Sequence, residues 1–317
     1  MKSDKNIQLY WKDIVEMAYE SYKKELVEIR NVPIKPFEDF ERHMNENAEN
    51  ASGRVLLEEG KCAAFLLYNM WEENGELYCR IPEWGYGSVS QDREKSISYL
   101  FQVLAEDIVG EKTVNFSVHL YAHDSEAQRL FSYMEFGIQA ETGICILDES
   151  GSTGMTCVRE LQKEEVESRW KEIWCLLEQL IQHLRKSPVF YLGEEFTEEV
   201  YKEFFADAGT SVFVAEKDNE IIGLIESNAD GIPLLFSDGN AANVGEIYVL
   251  PQYRGEGISQ DLLQYAEQKL LQSNYQYAWV EHGTANPNAR YFWNRHFSTY
   301  KYEMIRRIES KRRPRNE

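Results

Sequence analysis

The residues best suited to chemistry in this 317-residue sequence form a glycine-containing turn, Gln-Tyr-Arg-Gly-Glu-Gly, at positions 252–257. Gly255 and Gly257 have no Cβ atom, so the backbone can adopt φ > 0 and come close to a phosphate group. A helix pattern follows directly, and the first N–H groups of a helix are unpaired and favour an anion. The chain carries a net charge of −20 and nevertheless contains a turn that favours an anion. Such a turn therefore indicates a phosphate-bearing ligand.

Two elements must hold this turn in place. The apolar run Ile247–Leu250 predicts a strand, and Pro251 ends it because proline donates no ladder hydrogen bond. The turn is not a P-loop, since no Lys-Ser/Thr follows the last glycine, nor a dinucleotide-binding fingerprint, which needs a third glycine at Gln260. After the turn, apolar residues at helical spacing predict an amphipathic helix; they are Ile258, Leu262, Leu263, Ala266, Leu270 and Leu271.

This order of strand, proline, basic glycine turn and long helix resembles motif A of the Gcn5-related N-acetyltransferase (GNAT) superfamily. The resemblance implies that the motif strand separates from the next strand, so that backbone groups of Ile247 and Val249 bond the pantetheine arm of acetyl-CoA. The alternative is a turn that binds no ligand. The resemblance also implies that the pyrophosphate is bound by Gln252, Arg254, Gly255, Glu256, Gly257, Ile258 and Ser259.

The sequence around the motif agrees with this resemblance. Upstream, residues 211–216 and 221–225 are β-type runs joined by a polar turn, which predicts a hairpin. Downstream, Tyr277–Val280 predicts a strand, and Asn286 followed by Pro287 predicts the start of a helix. That helix start resembles the GNAT segment N-x-x-A-x-x-F-[YW], which implies that Asn286 bonds the pantetheine arm.

The N-terminal half resembles a second, degenerate copy of the same fold. Its predicted elements repeat the order of the C-terminal half at a distance of about 150–160 residues, as for two domains of ordinary size. The glycine pair does not repeat, because Ser88–Arg93 stands in its place, so we expect this half to have lost acyl-CoA binding, as in bacterial tandem GNAT proteins. The elements are strands at Arg54–Glu58, Cys62–Tyr68, Leu77–Pro82 and Thr113–Leu120, and helices at Tyr10–Ile29 and Glu94–Ile108.

The predicted fold class is α+β (mixed α/β), with two GNAT-type domains in tandem, each a mostly antiparallel mixed sheet flanked by helices. The small polar run at 149–154 predicts the boundary between a degenerate domain at 1–150 and an acyl-CoA-binding acetyltransferase domain at 155–317. The second domain is expected to begin with a helix over Glu164–Lys186 and to end with a strand over Tyr300–Ile308.

Acyl transfer to an amine needs a group that removes a proton, because an alkyl ammonium has a pKa near ~10.4. Glu246 is the nearest carboxylate on the motif strand and is the candidate base, with Glu226 and Glu281 as further candidates. The alternative for Glu246 is a strand residue that faces solvent. In many GNATs a tyrosine seven residues after the asparagine protonates the thiolate, but this chain has Trp293 there. Water or another tyrosine, such as Tyr248, is therefore expected to act as the acid.

The composition limits the remaining functions. The excess of 54 Asp and Glu over 34 Lys and Arg argues against nucleic acid as the main partner and suits a cationic amine acceptor. Nothing approaches the roughly 18–20 continuous apolar residues of a membrane span. The five cysteines lack C-x-x-C spacing, and His119 and His123 fall on a predicted strand and its exit, so we expect reduced thiols and no metal site. We expect a cytoplasmic bacterial protein that is a monomer or a homodimer.

Two functions from different classes follow from this sequence. The first is an acetyl-CoA-dependent N-acetyltransferase, with acetyl-CoA as co-substrate and a small amine as acceptor. The second is a non-catalytic acyl-CoA-binding or regulatory protein, which Trp293 and the degenerate N-terminal half suggest.

Overall fold

The chain folds into two compact units, one formed by residues 1–142 together with 299–317 and the other by residues 143–298. Each unit contains a mixed sheet flanked by helices, which confirms the predicted α+β fold class. The computed structural model describes residues 2–29, 31–48, 51–148, 157–191, 193, 196–229 and 239–310.

The first unit is built on a sheet with the strand order β1-β2-β3-β4-β6-β13, and β5 pairs with β3. The β4–β6 pairing is parallel and the other pairings in this unit are antiparallel. Its elements are β1 (Lys2–Asp4), α1 (Trp11–Glu28), α2 (Phe37–Asn47), β2 (Ser52–Glu58), β3 (Lys61–Glu73), β4 (Glu76–Ile81), β5 (Tyr86–Ser88), α3 (Arg93–Ile108), β6 (Val114–Tyr121), α4 (Ser125–Tyr133) and β13 (Ser298–Ile308).

The last strand of the chain completes the sheet of the first unit. β13 pairs antiparallel with β6 over eight positions, from Lys301 opposite Tyr121 to Ile308 opposite Val114. Met304 of β13 is 1% exposed and lies in the core that α3 and α4 form on this sheet. The predicted domains at 1–150 and 155–317 are continuous in sequence, whereas the first compact unit also takes in the end of the chain from residue 299. Local sequence patterns do not show that β13 pairs with β6.

The second unit has the strand order β12-β11-β10-β9-β8, with β11 and β12 parallel and the other neighbours antiparallel. One apolar core includes residues of α8 and α9, and a second includes residues of α5, α6 and α7. The boundary with the first unit falls within β7 (Gly137–Ile146). The other elements are β8 (Val158–Glu160), α5 (Lys163–Ser168), α6 (Trp170–Leu184), α7 (Glu198–Ala206), β9 (Thr210–Lys217), β10 (Glu220–Asn228), β11 (Ala241–Val249), α8 (Ile258–Gln272), β12 (Tyr277–Gly283) and α9 (Pro287–His296).

The predicted elements are largely confirmed, with two differences in the second unit. The helix predicted over 164–186 is divided at Arg169, whose φ of −103° and ψ of 13° end α5 and precede α6. Its guanidinium bonds Glu172 and Glu216, so ion pairs hold the break in place. The motif strand begins six residues earlier than predicted, at Ala241.

Candidate functional site

An open cleft lies between β11 and β12 in the second unit. β11 stays paired with β10 as far as Val249, which lies opposite Gly223. Its pairing with β12 covers three residues, from Ala241 opposite Tyr277 to Asn243 opposite Trp279. Within the described ranges, no further pairs join these two strands, so they separate toward the glycine turn. This is the separation that the resemblance implied.

The backbone of β11 turns hydrogen-bonding groups toward this cleft. The Leu250 N–H donates to the Ile222 carbonyl at 2.9 Å, which places Leu250 on the side facing β10. Because successive residues of an antiparallel strand alternate in direction, Tyr248 also faces β10, while Ile247 and Val249 face away from it. The Val249 carbonyl accepts a hydrogen bond from Arg254 Nε at 3.0 Å.

The glycine turn lies between the end of β11 and the start of α8. Gly255 and Gly257 have φ values of +85° and +87°, and Gly257 is the residue that precedes the first helical residue, Ile258. A Cβ atom on either glycine would meet nothing within 4 Å, so the backbone conformation, not crowding, requires glycine at both positions. Among the described residues, the N–H groups of Gly255, Glu256 and Gly257 form no backbone hydrogen bond. The turn therefore offers free donors at a helix N-terminus.

Arg254 is exposed and folds back over the end of β11. Its guanidinium carbon lies 5.0 Å from the centre of the Tyr248 ring. Tyr248 is 7% exposed and packs in the core on the α6 side of the sheet. Arg254 thus sets a positive charge at the mouth of the cleft.

Glu246 lies with Tyr201 and Glu226 at a register shift in the pairing of β10 with β11. The Tyr201 hydroxyl, from α7, donates to Glu246 Oε1 at 2.8 Å, and the Glu246 N–H donates to Glu226 Oε1 at 3.1 Å. Glu226 is 2% exposed and occupies a register shift of β10 between Ile225 and Ser227. A Cβ atom on Gly245 would collide with Glu226 Oε1, so a larger residue there would force the Glu226 carboxylate to move.

The surroundings of Glu246 and Tyr201 raise the pKa values of both side chains. Loss of water around the carboxyl group raises the pKa of Glu246 above its ordinary value, and the hydrogen bond from Tyr201 opposes part of that rise. Burial, and then the negative charge of Glu246, raise the pKa of Tyr201 well above that of free tyrosine. Tyr201 therefore keeps its proton and acts as the donor in this pair. A carboxylate with a raised pKa beside a cleft is suited to accept a proton.

The other candidate residues have distinct positions. Glu281 is exposed on β12, whereas Glu226 is buried within the bulge. The Asn286 side chain accepts a hydrogen bond from the Ala289 N–H at 3.4 Å, which confirms it as the N-cap of α9, and it is 8% exposed. Trp293 is 3% exposed in the core beside α8. The roles of all candidate residues toward a ligand stay predictions.

Sequence reasoning missed Tyr201 and Gly245. A glycine inside a strand pattern indicates a bulge or a close approach of other atoms, and that signal was available for Gly245. Tyr201 follows a helix pattern and has no local mark of its contact with a residue 45 positions away. The resemblance also implies that the loop at 228–243 shapes the acceptor pocket, and residues 230–238 of that loop lie outside the described residues.

In the first unit α3 corresponds to α8, and a side chain caps the start of α3. The Asp92 side chain caps α3 by accepting a hydrogen bond from the Lys95 N–H at 3.0 Å. Arg93 donates to Asp124 Oδ1 at 2.7 Å and to Glu126 Oε2 at 3.1 Å. A carboxylate therefore holds the place where α8 offers free N–H groups. The loss of acyl-CoA binding in this half stays a prediction.

Across the described ranges, no group of three or more His, Cys, Asp and Glu side chains is arranged to hold a metal ion. In the same part of the chain, no helix combines the length and the apolar character that a membrane crossing needs.

Residues 177–297 match the model of the acetyltransferase (GNAT) family. An uncharacterized N-acetyltransferase of Archaeoglobus fulgidus is 32% identical over 99 residues. That alignment covers 31% of this chain and 62% of the relative.

Solved structures show the same fold over nearly the whole chain. A GCN5-related N-acetyltransferase from Sphaerobacter thermophilus aligns with a TM-score of 0.55 and 12% identity, covering 97% of this chain and 96% of that one. A glucosamine N-acetyltransferase region of a fungal multi-domain β-N-acetylglucosaminidase aligns with a TM-score of 0.54 and 12% identity. That match covers 97% of this chain and 38% of the fungal one. At this identity the likeness concerns the fold alone.

Proposed function

The chain belongs to the acetyltransferase (GNAT) superfamily through residues 177–297, and from that premise we propose that its C-terminal unit transfers an acetyl group from acetyl-CoA to a small amine. The observation that carries the proposal is the cleft between β11 and β12 with the glycine turn at its mouth. A cleft between separated parallel strands accepts an extended ligand as an added strand, and free N–H groups at a helix start bind phosphate.

The proposed position of acetyl-CoA follows from these two features. The pyrophosphate binds the N–H groups of the turn at 255–259, with Gln252 and Arg254 at its edge. The pantetheine arm lies in the cleft against the backbone of Ile247 and Val249 and the side chain of Asn286. Asn286 is 8% exposed, so a ligand that enters the cleft meets an amide group that is already fixed as an N-cap.

Glu246 is proposed to remove the proton from the amine, directly or through a water molecule. The neutral nitrogen then attacks the thioester carbon, and a backbone N–H of Ile247 or Val249 stabilises the oxyanion. Collapse of the tetrahedral intermediate releases the CoA thiolate. The attacking nitrogen loses its second proton to water, which leaves a neutral amide, and the thiolate takes a proton from water or from Tyr248. Trp293 cannot supply that proton, because an indole N–H is not acidic. A thiol has an ordinary pKa near ~8.5, so its thiolate leaves without obligatory protonation.

The test of this function is turnover of acetyl-CoA by the full chain with a panel of amines, measured as release of free thiol. We expect amine-dependent release with at least one member of the panel. Tight acetyl-CoA binding without release for any amine would favour the second proposal, a non-catalytic acyl-CoA-binding or regulatory protein. Cytoplasmic location in a bacterium and a monomeric or homodimeric state stay predictions.

Glu246→Gln is expected to lower kcat about a hundredfold, within the range that general bases contribute, with little change in acetyl-CoA affinity.

A base acts when deprotonated, so the wild-type rate should rise with pH as Glu246 loses its proton. Because the pKa of Glu246 is raised, that rise should lie above the ordinary range of glutamate. The pH–rate profile checks this, and the Gln variant should lose the rising limb. Glu281→Gln, an exposed carboxylate on β12, is the matched control. Equal losses in the two variants would remove Glu246 from its role.

We expect one acetyl-CoA per chain, bound by the C-terminal unit. In the first unit Asp92 caps the corresponding helix, and its carboxylate would repel a pyrophosphate. Calorimetric titration of the full chain measures the stoichiometry, with Gly257→Asp as the control expected to abolish the single site. Two equivalent sites in the wild-type chain would contradict the prediction.

A further inference from the structure

Tyr201, on α7, contacts the proposed base although the two residues are 45 positions apart in the chain. Its hydroxyl donates to Glu246 Oε1 at 2.8 Å, which is close to the usual length of an O–H···O bond. Over the part of the chain that the structure describes, no hydrogen bond reaches the second oxygen, Oε2. Because Glu246 is half-buried, the protein holds one carboxylate oxygen and leaves the other for an acceptor.

The Tyr201 ring is held in place by other aromatic rings. The residue is 5% exposed. Its ring centre lies 5.7 Å from that of Phe196 and 6.2 Å from those of Trp174 and Phe205. These rings come from α6, from α7 and from the segment just before α7. A side chain locked by packing can hold its hydrogen-bond partner in one orientation.

The helix that carries Tyr201 is itself fixed at both ends. Thr197 caps the start of α7, since its side chain accepts a hydrogen bond from the Val200 N–H at 3.4 Å. Near the end of α7, Lys163 Nζ donates to the carbonyl groups of Phe205 and Thr210. Thr210 is the first residue of β9, so Lys163 ties the helix to the sheet. The Tyr201 hydroxyl therefore approaches β11 from a fixed helix.

The ionisable groups around Glu246 lie on neighbouring elements. Tyr201 donates to its carboxylate from α7, and Glu226 on β10 accepts a hydrogen bond from its backbone N–H. Tyr191, before α7, is a further ionisable group that acts on Tyr201. Burial raises the pKa of Glu246, and the hydrogen bond from Tyr201 lowers it. Tyr201 is thus the group in this set that stabilises the ionised Glu246 carboxylate.

We propose that Tyr201 is a positioning residue for acetyl transfer, whose hydroxyl keeps Glu246 ionised and oriented so that Oε2 takes the proton of the acceptor amine. The inference rests on the proposed function, because Glu246 acts as a base only if an amine is acetylated. In this step an N–H bond of the amine breaks and an O–H bond forms at Oε2, while Tyr201 keeps its own proton. The Tyr201 bond weakens once Glu246 is neutral, since hydrogen bonds to charged groups are the stronger ones.

The first experiment follows the titration of Glu246 without any acceptor. The full chain is labelled with carbon-13 at the side-chain carboxyl of glutamate, and the Glu246 signal is the one that is missing in Glu246→Gln. In Tyr201→Phe we expect this signal to titrate at higher pH than in wild type, because the ring stays and the donor to the charged form is lost. A Glu246 signal that titrates at the same pH in both chains would overturn the proposal.

Tyr265→Phe is the matched control for this titration. Tyr265 is half-buried in the same unit, and its ring centre lies 5.8 Å from that of Phe213. Its loss of one hydroxyl should leave the titration of Glu246 unchanged. Circular dichroism should show that both variants are folded, since each keeps its ring. An equal displacement of the Glu246 signal in Tyr265→Phe would overturn the specific role of Tyr201.

The second experiment measures kcat against pH with an amine that the wild-type chain acetylates. We expect the rising limb of Tyr201→Phe to lie at higher pH. Its kcat should be about tenfold below wild type at pH values under the limb, the size expected for one hydrogen bond to a charged group. Above the limb the two rates should agree within about threefold, because both carboxylates are then ionised. An equal loss at every pH, with the limb unmoved, would overturn the proposal.

A double variant shows whether Tyr201 acts through Glu246. Adding Tyr201→Phe to Glu246→Gln should lower kcat no further, because the carboxylate is already absent. A further loss of about tenfold would overturn the proposal, since two residues that act through one group are not additive. An unmoved carbon-13 titration in a chain that acetylates an amine would overturn this inference alone. A displaced titration without turnover of any amine would overturn the proposed function, and with it the role of Tyr201 in acetyl transfer.

Discussion

Replacing Gly257 by aspartate is expected to weaken acetyl-CoA binding about a thousandfold. The new carboxylate would lie within ~4 Å of the pyrophosphate, and at an effective dielectric constant of ~20 two like charges at that distance repel by about 4 kcal/mol. The side chain itself has room, because a Cβ atom at Gly257 meets nothing within 4 Å. Calorimetric titration with acetyl-CoA measures the change.

Gly257→Asn is the matched control for this variant. Asparagine has the size and shape of aspartate, and both residues tolerate positive φ better than most, so both variants carry similar strain at +87°. The difference in affinity between them isolates the charge. Thermal unfolding should show two equally folded chains. A folded Asp variant with less than a tenfold loss would mean that the pyrophosphate is bound elsewhere.

Replacing Trp293 by alanine is expected to lower the free energy of unfolding of the C-terminal unit by about 3–5 kcal/mol, the range for removal of a buried aromatic side chain. The Trp293 ring is 3% exposed and lies 4.9 Å from the Phe292 ring and 5.4 Å from the Phe297 ring, measured between ring centres. Denaturant unfolding followed by circular dichroism measures the loss.

Two further variants complete this experiment. Tyr291 lies on the same helix but is 66% exposed, so Tyr291→Ala should change stability by less than about 0.5 kcal/mol. Trp293→Phe keeps most of the packing and should retain appreciable turnover, because the indole carries no proton in the proposed reaction. A stable Trp293→Phe chain without turnover would reveal a direct role of the indole.

The glycine turn and its two flanking elements could be predicted because their signals are local. Pro251 ends a strand, Gly255 and Gly257 permit positive φ, and the apolar stripe of α8 recurs at helical spacing. Asn286 before Pro287 identifies a helix start for the same reason. Each of these features depends on residues within a few positions of one another, so the sequence alone contains the necessary information.

Other parts of the site depend on contacts between distant residues. The start of β11 was missed because Asn243 and Gly245 interrupt its apolar pattern, although Ala241, Ala242 and Val244 are fully buried. The Tyr201–Glu246 hydrogen bond joins two elements whose approach is decided by packing of α7 on the sheet. The partner of β13 was likewise beyond sequence reasoning, because a strand pattern does not name the strand with which it pairs.

The position of β13 has a consequence for how this protein is made. During synthesis most of the first unit emerges early. β6 can pair with β13 only after the whole second unit has been synthesised, because β13 follows it in the chain. Until then β6 presents an open edge, which is a template for pairing with other chains. Deletion of β13 would leave the same edge of β6 unpaired. The two halves of the chain resemble each other in pattern. Because the first unit needs β13, however, they are not two modules that can be exchanged independently.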